Sequence, residues 1–190
     1  MPAPQDRVQL IRGLLLYGQA PQWDEAELQL RESRIEAQRY ATQGDAQPSQ
    51  AAYYDSVLLF RRGRHAEADA AFARTVERER SLLPANANGR GRDRNQRVHA
   101  GLLAQALTYR AVLALQRCNR VDAGHYLNEA VRVVATALAP QAPIARAVRA
   151  HHDGLHRLGR LPESVADSFL SAADIDTANR RFQSCAGTRR

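Results

Sequence analysis

Lysine is missing from this chain: all 27 basic residues are arginine. A GC-rich coding bias is the simplest reason, and the sharper one is avoidance of lysine acceptors for ubiquitin. One exclusion follows directly. Gly89-Arg90-Gly91-Arg92 has the glycines of a phosphate loop but neither a preceding strand nor the Lys-Ser/Thr end that grips phosphate. Cysteine is nearly missing too. Cys118 and Cys185 are far apart and match no metal or redox spacing, so the expectation is a reduced, intracellular protein of cytoplasm or nucleus without a disulfide framework. No nucleophile stands beside a base and an orienting carboxylate in the sequence, so no enzyme is expected.

Long apolar runs are also absent. Leu14-Leu15-Leu16 is far too short to span a bilayer, and Met1-Pro-Ala-Pro-Gln-Asp6 lacks the charged and apolar regions of a secretory signal. Arg7 and Arg12 suit a mitochondrial presequence, but Asp6, Asp24 and Glu25 come early for one. No membrane partner is expected. Aromatics make up only 6%, and no alternating run of four or more residues reads as a strand.

What remains is rich in Ala, Leu, Arg, Glu and Gln, all strong helix formers, which predicts an all-α protein. Its 190 residues suffice for one domain or a short stack of helical repeats. A net charge of +7 would draw nucleic acid, anionic lipid or acidic protein surfaces.

Four segments read as turns between helical patterns, at Gln22-Trp23-Asp24-Glu25-Ala26, Arg64-His65-Ala66-Glu67-Ala68, Arg120-Val121-Asp122-Ala123 and Arg160-Leu161-Pro162-Glu163-Ser164. The second is clearest: Tyr53, Tyr54, Val57, Leu58 and Phe60 precede Gly63-Arg64, and Ala68, Phe72 and Val76 recur at helical spacing after it. Small residues there let two helices approach closely, a glycine ends the first, and a large ring fills the gap between neighbours.

On Ser56, Gly63, Glu67-Ala68, Phe72 and Thr75 the chain resembles the tetratricopeptide repeat family. Tyr17, Trp23, Ala26 and Leu30 repeat the pattern with Pro21 in place of the turn glycine. Ala111, Ala123, Leu127 and Ala130 repeat it with Cys118 in that place. Gly159 fits in the fourth unit, where Phe169 and Ala172 align after a one-residue slip. The resemblance implies an α-α superhelix of about four helix pairs. Pairs one and two would occupy 1–83, a flexible basic linker 84–97, pairs three and four 98–175, and a polar tail without order 176–190. Further breaks are expected at 43–48 and at Pro140 and Pro143. The layout is also similar to the N-terminal part of the anaphase-promoting-complex subunit seven family, through Asp55, Leu59 and Phe60, the insertion after Leu83, and Tyr109 to Ala123.

The family resemblance implies a scaffold or adaptor without cofactor, a subunit of a larger assembly such as a ubiquitin ligase, or a homodimer. Its first helices would line a groove with Ile11, Leu15, Tyr53, Val57, Phe60, Thr108, Val112 and Leu115, with Arg61 and Arg62 near the rim, for an amphipathic helix or acidic peptide of another protein. The plainer reading of each is core packing. Without lysine, the Asn/Lys clamp by which some such repeats hold chaperone carboxylates is not expected. The rival function is nucleic-acid binding by Arg90, Arg92, Arg94 and Arg97, although no aromatic stands among them for base stacking. His152 and His156 are one helical turn apart, but a third ligand is lacking and no metal is assigned.

Overall fold

A computed structural model describes residues 4–40, 47–83, 94–163, 165–166 and 168–187. The described residues are all-α, with no strand among them: α1 (Pro4–Tyr17), α2 (Ala20–Tyr40), α3 (Gln47–Arg61), α4 (His65–Leu82), α5 (Arg94–Gln116), α6 (Arg120–Ala137), α7 (Pro143–Leu158) and α8 (Ala172–Gly187). They fall into two compact units, Met1–Leu82 and Leu83–Arg190.

In the first unit each helix packs on the next in sequence, and α1 also touches α3. The α1–α2 turn lies at Gly18-Gln19, earlier than the expected Gln22–Ala26, and Pro21 sits inside the first turn of α2, where a missing N–H costs nothing. Trp23 Nε1 donates to Gly18 O at 3.1 Å and closes that turn. Ala26, Ala68 and Ser56 are fully buried at the close approaches, and the Phe72 ring packs against Tyr53 with centroids 6.2 Å apart.

The end of α3 is a Schellman turn. Gly63 N donates to Phe60 O and Arg64 N to Leu59 O, both at 3.0 Å, with Gly63 at φ 71°. The end of α5 repeats it bond for bond. Cys118 N donates to Leu115 O at 3.0 Å and Asn119 N to Ala114 O at 2.9 Å, with Cys118 at φ 64°. Asn119 then caps α6 by accepting from Asp122 N at 3.0 Å. Cys118 is the sole non-glycine residue with positive φ among those described.

The second unit is built differently. Residues 99 to 104 of α5 are all buried, and so are 106 to 109 and 111 to 116, with α6, α7 and α8 around it. A helix apolar on every side belongs inside a core. By length and composition α5 would also pass for a membrane span, but 83% of its most apolar window is buried. α6 packs on both α5 and α7, whereas α7 and α8 make no contact with each other.

Three expectations are corrected here. The fourth turn does not lead into a helix: α8 starts only at Ala172, and Phe169 lies in the connection, its carbonyl accepting from Tyr109 Oη at 2.9 Å. The stretch from 176 is helical as far as Gly187, because Ile175, Ala178 and Asn179 are buried and Ser171 with Asp174 forms a reciprocal cap. Lastly, Cys118 and Cys185 form a disulfide, with Cα atoms 5.9 Å apart. Their sequence separation of 67 hid a contact that spacing could not reveal. Of the anticipated linker, 84–93 lies outside the described residues, and Arg94 to Arg97 form the first turn of α5.

Candidate functional site: an arginine-lined cavity

The apolar residues anticipated as a groove are core. Ile11, Leu15, Tyr53, Val57, Thr108, Val112 and Leu115 are at most 1% exposed and Phe60 is 4% exposed, so none presents a surface to a ligand. Arg61 is half-buried and donates from Nε to Leu15 O at 2.7 Å, tying α3 to α1. The helical stripes face inward because burying a Leu or Phe side chain stabilises by about 1.5–3 kcal/mol, which an open groove would forgo. Of the rival arginines, Arg94 and Arg97 are exposed at the start of α5, and Arg90 and Arg92 lie outside the described residues.

The open feature of the first unit lies elsewhere. α2, α3 and α4 line an open cavity of about 430 Å³ that receives Arg34, Arg62, Arg64, Arg74 and Arg78, with Glu27 and Asp55 as the acidic residues among the described lining. Its floor includes Ala52, Leu59 and Leu58. Ser56 and Thr75 also line it, but their hydroxyls are turned to their own helices, donating to Ala52 O at 3.0 Å and Ala71 O at 3.1 Å.

The charges on its two sides differ. Along α2 and α3 the arginines are neutralised: Arg34 meets Asp55 at 3.3 Å, and Arg62 meets Asp24 at 2.6 Å and Glu27 at 2.7 Å. Arg64, at the turn into α4, is held by both Glu67 oxygens at 2.8 and 2.6 Å, and that hydrogen bond keeps the Glu67 carboxyl below its ordinary range. Arg74 and Arg78 stand one helical turn apart on α4, exposed, with no carboxylate on either guanidinium among the described residues.

Burial raises the Asp55 carboxyl above the ordinary carboxylate value, Arg34 opposes that, and Glu27 adds to it.

In the second unit, His151 is fully buried, its Nε2 3.2 Å from Ser168 Oγ and its Nδ1 without a partner. Burial pushes it down to about 4, so it is neutral near pH 7. With no carboxylate on Nδ1, the Ser168–His151 contact lacks the orienting member of a hydrolytic triad. His152 Nε2 meets Asn128 Oδ1 at 2.9 Å, and the His152 and His156 rings are 4.4 Å apart. No group of three metal-ligating side chains occurs among the described residues.

The cavity was not legible as such in the sequence. Arg74 and Arg78 at a four-residue spacing on the polar face of α4 were its one available signal, and it is weak, because charge on a polar helix face is ordinary. No family model, curated protein or solved structure matches this chain.

Proposed function

We propose that the protein is a non-catalytic helical binding module whose first unit takes an acidic, partly apolar segment of a partner protein in the α2–α3–α4 cavity. The observation that supports this is the Arg74–Arg78 pair, without a carboxylate partner among the described residues, at the rim of a cavity whose described lining has five arginines and two carboxylates. Carboxylates of the partner would accept charge-assisted, bidentate bonds from guanidinium groups, the geometry arginine supplies and lysine does not. Alanine and leucine side chains in the floor suit small apolar residues between those carboxylates. The sequential packing of α1 to α4 fits two stacked helix pairs of tetratricopeptide type, so the resemblance and the cavity lead to the same kind of adaptor role.

A nucleic acid suits this cavity less well. Among the described residues its lining contains no aromatic ring for bases to stack on.

Fluorescence anisotropy tests the reading with the full chain and a labelled peptide alternating glutamate and leucine. The control is the same peptide with every glutamate changed to glutamine, and an unlabelled single-stranded oligonucleotide serves as competitor. Binding of the acidic peptide alone, weakened by salt, is the expected result. Equal binding of the glutamine peptide, or undiminished binding of the acidic peptide by the Arg74→Glu/Arg78→Glu double variant, contradicts it.

A further inference from the structure

We infer that the Cys118–Cys185 disulfide is a reversible latch that holds the C-terminal half of α8 against the end of α5, and that a dithiol reductant opens it in the folded protein. Three observations carry this. The first is the position of Cys118. It occupies the left-handed C′ position of a Schellman turn at φ 64°, where the matching turn has Gly63 and the end of α7 has Gly159. An L side chain there is disfavoured relative to glycine, so this turn carries a conformational cost that a glycine would remove. The thiol is the feature that a glycine could not replace.

The second is how α8 is attached. Its first half is anchored without the disulfide: Ile175, Ala178 and Asn179 are buried, Asn179 accepts from Leu161 N at 2.9 Å and donates to Leu161 O at 2.8 Å, and Ser171 with Asp174 caps the start. From Arg180 to Cys185 no side chain is buried, Phe182 and Cys185 being half-buried and the others exposed. α5 is the only described helix that α8 touches. The disulfide is thus the main tie on that half of the helix. Third, Cys118 is exposed and Cys185 half-exposed, so the bond is within reach of an attacking thiolate.

The chemistry closes without any group from the protein beyond the two cysteines. A thiolate of the dithiol attacks Cys118 Sγ, the sulfur–sulfur bond breaks, and Cys185 leaves as a thiolate that takes up a proton. The second thiol of the reductant then displaces Cys118 from the mixed disulfide. The protein gains two electrons and two protons and the dithiol leaves as a cyclic disulfide. Reduction lets the segment after Asn179, with Arg180 and Arg181, come away from the α5–α6 turn.

The test uses the full chain, oxidised with diamide, then treated with dithiothreitol in native buffer. Thiols are counted with a maleimide mass tag, and hydrogen exchange is read by mass spectrometry. The expected result is no tagging before dithiothreitol and two tags after it. Amide exchange across 180–187 should rise at least tenfold, with 172–179 and α3–α4 unchanged, and oxidised glutathione should reverse it. Cys185→Ser should reproduce the reduced pattern without reductant. Tagging of the diamide-treated folded chain, reduction that occurs only in denaturant, or reduction that leaves exchange at 180–187 unaltered would each overturn the latch.

Discussion

The two units use their helices in opposite ways. In the first, the arginine cavity is lined by Glu27 and Arg34 of α2, by Arg74 and Arg78 of α4, and by Ala52, Asp55, Leu58 and Leu59 of α3, so these helices keep part of their surface for a ligand. In the second, α5 is buried on nearly every side and its neighbours close over it. A helix that spends its whole circumference on packing leaves little for a ligand. Helices that keep one face polar leave room for recognition, and this is why the proposed site belongs to the first unit.

The largest effect should come from breaking the second unit at its centre. Val112→Asp places a carboxylate at a fully buried site on α5, and an unpaired buried charge costs several kcal/mol. Hydrogen exchange should show protection lost across α5 to α8 and retained in α3 and α4. Loss in both units together would mean that the division into two is not energetic.

Next in size is His151. Its folded value of about 4 lies below the ordinary 6.5, so the unfolded chain binds the extra proton more readily. The stability contributed by neutral His151 is complete above about pH 6.5 and is lost as pH falls towards 4. By the size of that shift the loss is about 3 kcal/mol. Denaturant melts of the second unit at pH 7 and pH 4.5 should separate for the native chain and converge for His151→Gln. The first unit should not share this dependence.

Charge reversal at Arg74 and Arg78 should weaken acidic-peptide binding about 100-fold, roughly 2.7 kcal/mol, with helicity by circular dichroism unchanged, since both side chains are exposed. The smallest effect sharpens the comparison of the two Schellman turns. Gly63→Ala should cost about 1 kcal/mol. The added Cβ meets no atom within 4 Å, so the cost is that of the left-handed backbone alone. Urea midpoints of the first unit measure it, and a neutral outcome would remove the case that Cys118 sits at a disfavoured backbone.

Much of the helical content was legible, because helix formers dominate and Gly63 and Gly159 mark real helix ends. The second turn was the clearest reading, since small residues, a glycine and a ring at fixed offsets report one local geometry. What escaped was long-range or reciprocal. The approach of Cys118 to Cys185 depends on how α8 returns to α5. The Ser171–Asp174 cap was visible as a spacing, but a polar, small-residue tail obscured it. The apolar stripes at Val57 and Leu115 were read both as groove and as core, and periodicity cannot separate the two because it reports which face is apolar and not what covers it. The arginine cavity combines three helices, and no single window of sequence contains it.

The most direct test of the binding account is a hydrogen-exchange footprint of the full chain with and without the glutamate–leucine peptide at saturating concentration. Protection concentrated from Arg64, at the turn into α4, to Arg78 and in the facing parts of α2 and α3, and absent in the Arg74→Glu/Arg78→Glu variant, is the predicted result. Protection confined to α5 to α8, or a footprint unchanged by the double substitution, would contradict the assignment of the site to the first unit.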